Sequence, residues 1–189
     1  MALDYDGSMS QSPEWKALRQ QILDKAVVRG KVILSSGQEA DYYVDLRRVT
    51  LDAEAAPLVG AVMRQVNSGC DYSAVGGLTL GADPVATAMM HNAAREGVLL
   101  NSFVVRKSEK QHGLQRRIEG PDVKGVRVLA VEDTSTTGSS VLAAVEALLV
   151  DGAVIAGVSV IVDRGAKSKV EQAGYGYTAA YTLADLGLE

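Results

Sequence analysis

Two adjacent carboxylates followed by small hydroxylated residues form the most chemically informative pattern in this sequence. Glu132 and Asp133 follow an apolar run, and the next five residues read Thr-Ser-Thr-Thr-Gly before a helix predicted from about Ser139. Such a turn offers free backbone N–H groups, hydroxyl donors and the positive end of a helix dipole, which together bind a phosphate monoester. Carboxylates accept hydrogen bonds from a diol. The segment 132–140 therefore suits a ribose 5-phosphate.

The paired acids also have a less specific interpretation, in which Glu132 and Asp133 only cap the turn that follows them. Two acids at the end of a buried strand carry a desolvation cost, however, and a bound ligand would explain that cost. The segment contains no GxxxxGK[ST] sequence, so it is not a Walker A loop.

Strands that alternate with helices place this motif at one edge of a predicted sheet. Apolar, β-rich runs predict strands at 72–76, 99–105, 126–131, 154–162 and 177–183. Helical spacing predicts helices over 13–29, capped by Ser12, over about 53–67, and from the cap Asp83 to near 97. The alternation indicates an α/β fold with an open, mainly parallel twisted sheet flanked by helices. Ligands bind beyond the carboxyl ends of such strands, where the loops 76–82, 106–120, 132–140 and 163–166 lie.

A basic segment occupies one of these loops. Residues 106–117, RKSEKQHGLQRR, hold five of the 19 basic residues of the chain and a single acid, Glu109. A loop of roughly 20 residues between two strands is longer than compact domains usually contain without a function. The composition favours a mobile lid that closes on a polyanion. The alternative is a solvated charged loop.

Several segments of the chain resemble one enzyme family. An apolar strand followed by Glu-Asp-x-x-x-Thr-Gly at 132–138 resembles the phosphoribosyl diphosphate (PRPP) signature of the type I phosphoribosyltransferases. The segment 36–45, SGQEADYYVD, resembles the base-binding signature of the orotate-specific members, and Arg-Lys-x-x-Lys-x-His-Gly at 106–113 resembles their catalytic loop. The glycine-rich turn 76–83 is similar to their pyrophosphate loop, although a tight turn alone would also use these glycines. The resemblance extends from about residue 13 to the C-terminus.

The resemblance implies a role for each residue of the PRPP and lid segments. The two acids hold the ribose 2′ and 3′ hydroxyls, and the turn after them cradles the 5′-phosphate. The implied PRPP-binding residues are Arg106, Lys107, Lys110, His112, Glu132, Asp133, Thr134, Ser135, Thr136, Thr137, Gly138, Ser139 and Ser140. The implied catalytic residues are Lys110, His112 and Asp133.

An arginine after the fourth predicted strand matches the orotate-binding arginine of the family. Arg164 can grip the orotate carboxylate or its neighbouring carbonyl in a fork, which would select orotate over uracil. The implied orotate-binding residues are Tyr43, Val44, Thr136 and Arg164. Taken alone, the first two suit an edge strand with surface tyrosines, and an arginine after a strand is usually solvated.

The implied reaction joins orotate and PRPP to give orotidine 5′-monophosphate and diphosphate in pyrimidine biosynthesis. Positive charge develops on the ribose and negative charge on the leaving diphosphate, so stabilising groups near both are expected. Lys110, with Lys107, Arg106 and His112, would neutralise the diphosphate, and Asp133 would favour the cationic sugar. The resemblance also implies Mg²⁺ as the cofactor, held mainly through the substrate and not by protein metal ligands.

The family fold implies one phosphoribosyltransferase domain over residues 1–189. A small hood is expected from about 12–50 together with the C-terminal segment, over a core of about 53–165, with 1–11 as a loose tail. The resemblance further implies a homodimer in which the lid reaches the partner's site. Ser35 and Gly81 stand where many bacterial relatives carry lysine, and both differences reduce the positive charge at the site.

Composition excludes several classes of protein. The chain has 189 residues, 47% apolar content and a net charge of −4, which argues against a general nucleic-acid binder. The apolar runs are too short to span a bilayer, and the one cysteine, Cys70, cannot form an intrachain disulfide. We therefore expect a cytoplasmic protein with no membrane or nucleic-acid partner.

Other functions remain compatible with the PRPP signature alone. A purine or uracil phosphoribosyltransferase would share residues 126–140, but would not need Arg164 or the segment 36–45. A regulatory domain that senses PRPP and acts on nucleic acid would want a broad basic face, and could dispense with the lid. A nucleotide-binding scaffold without catalysis is a further alternative.

Overall fold

A computed structural model describes residues 12–33, 39–108 and 117–189. Its helices are α1 (Pro13–Gln21, extended by a π-helical turn over Ile22–Ala26), α2 (Arg47–Thr50), α3 (Ala56–Val66), α4 (Ala82–Arg95), α5 (Ser139–Val150) and α6 (Lys167–Gln172). Its strands are β1 (Val27–Ile33), β2 (Glu39–Val44), β3 (Ala74–Leu78), β4 (Asn101–Val105), β5 (Ile118–Glu119), β6 (Arg127–Ser135), β7 (Val154–Asp163) and β8 (Tyr177–Thr182).

The main sheet of the described residues has the strand order β5-β4-β3-β6-β7-β8. The short strand β5 pairs antiparallel with β4, and every other neighbouring pair is parallel. The predicted α/β class, with an open and mainly parallel sheet flanked by helices, is confirmed. From β3 the chain adds β4 and β5 on one side of the sheet, and from β6 it adds β7 and β8 on the other side, so the strand order reverses between β3 and β6. Ligands bind at this point in open sheets of this kind.

Helices cover both faces of the sheet, as the apolar strands predict. Leu129 and Val131 of β6 pack into a core that includes α1, α3 and α4. The alternate residues Val128 and Ala130 pack into a second core with α5. Because successive side chains of a strand point to opposite faces, a strand buried on both faces reads as a continuous apolar run.

A separate antiparallel hairpin, β1–β2, belongs to the segment expected to form the hood. Val27 pairs with Val44, and Val28 with Tyr43. The helix predicted over 13–29 was therefore too long, because it ends at Ala26 and the β-branched pair Val27-Val28 begins a strand. The predicted cap is confirmed, since Ser12 Oγ accepts a hydrogen bond from Trp15 N at 3.1 Å.

Other helix starts differ from the prediction. Helix α4 begins at Ala82, so Asp83 is not its cap; Asp83 Oδ2 instead accepts a hydrogen bond from Thr79 Oγ1 at 2.7 Å. Helix α3 begins at Ala56, and not near 53, because Asp52 Oδ1 accepts bonds from Glu54 N and Ala55 N and forms a turn. The short elements α2, α6 and β5 were not predicted, since they are too brief for a hydrophobic period.

No helix within the three described stretches has both the length and the apolar character needed to span a bilayer.

Candidate functional site

The loop after β3 lies directly against the two acids of β6. A Cβ atom built on Gly81 would lie 2.8 Å from Asp133 Oδ1 and would also collide with Glu132 Oε1. Only glycine permits this approach without displacement of the carboxylates. A larger side chain at this position would have to displace the two carboxylates, so Gly81 allows the loop to lie directly against the acids.

The acids themselves lie within the strand. The sequence predicted that the strand ends at 131, but β6 continues to Ser135 and pairs with β7 as far as Asp163. Glu132 is only 6% exposed, and its Oε1 accepts a hydrogen bond from Asp133 N at 3.3 Å. Asp133 Oδ1 accepts a bond from Thr134 N at 2.6 Å. These local bonds leave further oxygen lone pairs of both carboxylates for a ligand.

Burial perturbs the ionisation of this carboxylate pair. Desolvation raises the pKa of Glu132 to about 8, and the negative charges of Asp133 and Asp83 act in the same direction. Desolvation also raises the pKa of Asp133. Carboxylates held in this way at the ligand edge of a sheet are candidates for a functional site.

The turn after β6 exposes its hydroxyl groups. Thr136, Thr137, Ser139 and Ser140 are exposed, whereas Ser135 is buried and belongs to the strand. Gly138 precedes α5 with φ of +72° and supplies no side-chain cap, which leaves N–H groups of the first helical turn for a ligand. Ser139 is the partial exception, because its N–H donates to Thr137 Oγ1 at 3.4 Å. The geometry is that of an anion cradle.

Arg164 lies beside this turn, at the end of β7. Its backbone N donates to Ser135 O at 2.8 Å. A Cβ atom built on Gly165 would lie 3.7 Å from Thr136 O, so the two loops are neighbours. Arg164 Nε is buried and has no hydrogen-bond partner in the part of the chain that the structure describes. Two of the predicted orotate-binding residues, Thr136 and Arg164, are thus brought together.

The base of the predicted lid is also described. Arg106 N donates to Arg117 O at 2.7 Å and closes the neck of the loop, and Arg106 Nη1 lies 3.4 Å from Glu119 Oε1. Lys107 and Thr79 line the same cavity as Arg106, of about 420 Å³. Lys110 and His112 lie outside the described residues.

The hairpin supplies the remaining predicted residues. Tyr43 is 36% exposed, whereas the Val44 side chain is buried in the core and leaves only backbone atoms for contact with a ligand. Arg47 was not predicted: its Nε lies 3.0 Å from Asp45 Oδ1, and it attracts Asp133 electrostatically. The bond to Asp45 raises the pKa of Arg47. Its position two residues after the base-binding signature was the available signal.

No three His, Cys, Asp or Glu side chains within 12–33, 39–108 and 117–189 are grouped so that they could hold a metal ion.

Comparisons with known proteins agree with this geometry. The family model described as the phosphoribosyl transferase domain matches residues 49–177. A relative from Streptomyces avermitilis named orotate phosphoribosyltransferase is 64% identical over 176 residues, which cover 92% of this chain and 97% of the relative. The crystal structure of Mycobacterium tuberculosis H37Rv orotate phosphoribosyltransferase with Fe(III) dicitrate has a TM-score of 0.85 and 53% identity, and covers 93% of this chain and 100% of that chain. The structure of the same enzyme with PRPP has a TM-score of 0.82 and 49% identity, with the same coverage.

Proposed function

This chain belongs to the phosphoribosyltransferase family, and we propose that it transfers the ribose 5-phosphate group of PRPP to orotate. The products are orotidine 5′-monophosphate and diphosphate, and the reaction belongs to pyrimidine biosynthesis. The observation that carries the proposal is the desolvated pair Glu132 and Asp133 beside an exposed phosphate cradle, at the point where the strand order reverses. The orotate phosphoribosyltransferases that match nearly the whole chain support orotate as the acceptor.

PRPP binds across the crevice between β3 and β6. Glu132 and Asp133 accept hydrogen bonds from the ribose 2′ and 3′ hydroxyls, which replaces the lost hydration of the carboxylates. The 5′-phosphate lies at the N-terminus of α5, where it receives bonds from the exposed hydroxyls and the free N–H groups. Thr134 and Ser135 lie within β6, where Thr134 N donates to Asp133 Oδ1 and Ser135 O accepts from Arg164 N, so they hold the acids and the turn in place.

Orotate binds between the hairpin and the end of β7. The Arg164 guanidinium donates to the orotate carboxylate, and Thr136 lies within reach of the same ring. Tyr43 covers the ring from the hood side, and Val44 offers its backbone. This arrangement selects orotate over uracil, since uracil has no carboxylate to pair with the arginine.

Catalysis depends on stabilising opposite charges at the two ends of the breaking C1–O bond. Nitrogen N1 of orotate attacks C1 as the diphosphate leaves, and the sugar passes through an oxocarbenium-like state. Asp133 stabilises the positive sugar, while Arg106, Lys107, Lys110 and His112 neutralise the diphosphate when the lid closes. Closure also excludes the water that would hydrolyse the activated sugar.

The donor set at the crevice fits Mg²⁺. Carboxylate, hydroxyl and phosphate oxygens are the ligands that this ion prefers, and Glu132 and Asp133 supply carboxyl oxygens at the crevice beside the exposed hydroxyls of the turn. We propose that the ion would be held mainly through substrate oxygens, while the two acids hold the ribose hydroxyls. When bound, Mg²⁺ supplies positive charge against the diphosphate.

The assembly and organisation of the protein are part of the proposal. The chain forms a single phosphoribosyltransferase domain, with a hood of about 12–50 and the C-terminal segment over a core of about 53–165. It functions as a cytoplasmic homodimer in which the lid of one subunit reaches the site of its partner.

A spectrophotometric assay tests the proposed reaction. The protein is mixed with PRPP, Mg²⁺ and orotate, and the loss of orotate absorbance is followed; parallel assays contain uracil or hypoxanthine. We expect turnover in the assay that contains orotate and none in the assays that contain uracil or hypoxanthine. Arg164→Ala should raise the KM for orotate by about 10²-fold, as loss of a charge-assisted fork predicts, and Arg95→Ala on the distant end of α4 should not. Equal turnover of uracil by the unmodified protein would refute orotate specificity.

A further inference from the structure

We infer that Tyr177, acting through Asp163, is a positioning residue for Arg164 and thereby sets the affinity for orotate. The inference rests on the proposed function, since it concerns how the orotate-binding arginine is held. It assigns a role to a residue on the last strand of the sheet, which none of the sequence patterns singled out.

The inference starts from one carboxylate oxygen that receives three hydrogen bonds. Asp163 Oδ1 accepts from Gly165 N at 3.0 Å, from Ala166 N at 2.8 Å and from Tyr177 Oη at 3.0 Å. The first two bonds fold the backbone into a turn on both sides of Arg164. The third comes from β8, the strand beside β7. Tyr177 is the first residue of β8 and is paired with Val158, so its side chain reaches along the sheet to Asp163.

The first two bonds tie the turn to Asp163, the last residue of β7, and the tyrosine bond ties the Asp163 side chain to a second strand. Tyr177 is partly buried and packs against the apolar cluster beneath α5, which restricts its ring. Burial and the adjacent Asp163 charge raise the pKa of Tyr177, so the hydroxyl keeps its proton and remains a donor. A donor held by this packing favours one rotamer of Asp163, and through it one path of the backbone at 164–166.

A further bond connects this turn to the phosphate cradle. Arg164 N donates to the carbonyl oxygen of Ser135, and Ser135 is the last residue of β6. The arginine backbone is therefore held from both sides, by the Asp163–Tyr177 pair and by the strand that carries the acids. Hydrogen bonds that involve a charged group are stronger than those between neutral groups. Loss of orientation of the Arg164 guanidinium is therefore expected to weaken orotate binding.

The consequence should be confined to the pyrimidine. The cradle at 136–140 and the acids of β6 keep their own contacts when the tyrosine hydroxyl is removed, so PRPP binding should be largely preserved. A general loss of packing would instead weaken both substrates and lower the melting temperature.

Tyr177→Phe tests the inference, because it deletes one hydroxyl and leaves the ring in place. We expect the KM for orotate to rise about 3- to 10-fold, in keeping with the loss of one bond to a charged acceptor. The KM for PRPP should stay within about twofold, as no PRPP contact is deleted. Tyr175→Phe, two residues away and packed on the same apolar cluster, serves as the matched control and should leave both constants unchanged. Asp163→Asn retains a carbonyl oxygen as an acceptor but loses the negative charge that strengthens the bonds. It should therefore also raise the KM for orotate.

The outcomes separate this inference from the proposed function. An unmodified protein that does not turn over orotate would refute the proposed function. Turnover by the unmodified protein, with an unchanged KM for orotate in Tyr177→Phe, would refute the positioning role alone. Equal rises in both KM values, or the same rise in Tyr175→Phe, would also overturn it in favour of a structural effect.

Discussion

Two regions of the molecule differ in whether their buried polar groups have hydrogen-bond partners. They are the crevice at the carboxyl ends of the strands and the contact between Trp15 and Tyr181. In the crevice, Asp83 Oδ1, Arg106 Nε and Arg164 Nε are buried without a hydrogen-bond partner in the described part of the chain. The Trp15–Tyr181 contact is closed: Trp15 Nε1 donates to Ala180 O, and Tyr181 Oη donates to Trp15 O, both at 2.8 Å.

The difference indicates that the Trp15–Tyr181 contact contributes to stability, whereas the crevice is arranged for function. Buried polar groups with partners rigidify a structure, whereas those without partners cost free energy that a ligand can return. The two aromatic rings stack with their centroids 4.7 Å apart and join helix α1 to strand β8. The crevice carries the desolvated acids and the unused donors that PRPP and orotate would satisfy.

Removal of Trp15 should have the largest effect on stability. Trp15→Ala deletes a side chain that is 7% exposed, together with its ring contact and one buried hydrogen bond. We expect a loss of about 3–5 kcal/mol in the free energy of unfolding, measured by chemical denaturation. The KM for PRPP of the remaining folded protein should be unchanged. Lys16→Ala, on the exposed side of α1, is the control; comparable losses in both variants would contradict the contrast between the two regions.

Removal of the lid lysine should have the opposite profile. Lys110→Ala is expected to lower kcat by about 10²–10³-fold, because a charge that stabilises the leaving diphosphate is lost. The melting temperature should hardly change, since a lid lysine contributes little to packing. Steady-state kinetics and thermal melting check both statements, with Lys124→Ala as an exposed control. A parallel fall in activity and melting temperature would argue against a catalytic lid.

Substitution of one acid of the pair should change stability less than the loss of Trp15 does, and in the opposite direction. The pKa of Glu132 is raised in the folded protein from its ordinary value of 4.5 to about 8. Between these values the folded state holds a proton that the unfolded state has lost, so the stabilisation present below pH 4.5 is lost as pH rises toward 8. Glu132→Gln removes this dependence and should stabilise the protein at pH 8 by about 1–2 kcal/mol, while activity falls.

Chemical denaturation at pH 5 and pH 8 measures the gain in Glu132→Gln. The exposed Glu146 on α5 provides the control substitution, Glu146→Gln, which should not change the pH dependence. If Glu132→Gln proved less stable than the unmodified protein at pH 8, the acid would be contributing to the fold, and the comparison of the two regions would have to be abandoned.

The strand, turn and helix at 126–150 were predictable because their signals are local. The apolar run, the acids, the hydroxyl-rich turn and Gly138 follow each other in sequence, and β6 and α5 lie close to where the spacing places them. The start of the β1–β2 hairpin was not predicted. The helical spacing of Trp15, Leu18, Ile22 and Ala26 does not show that the helix ends before Val27.

Contacts between distant residues were not predictable. The approach of Gly81 to Glu132 depends on the pairing of β3 with β6, and the sequence alone does not specify that register. Asp163 and Tyr177 are 14 residues apart and lie on neighbouring strands without being paired, so their contact depends on the direction in which the tyrosine side chain extends. The pattern of residue types therefore located the chemistry, while the groups that orient it required the tertiary structure.

Helix α1 is attached to a part of the chain that is synthesised much later. The Trp15 indole and the Ala180 carbonyl are separated by 165 positions, so this bond contributes heavily to a slow-folding topology. During translation α3 can pack against the apolar face of α1 early, but the bond from Trp15 to Ala180 cannot form until β8 leaves the ribosome. The contacts that join α1 to β8 are therefore among the last tertiary contacts of the chain that can form during synthesis.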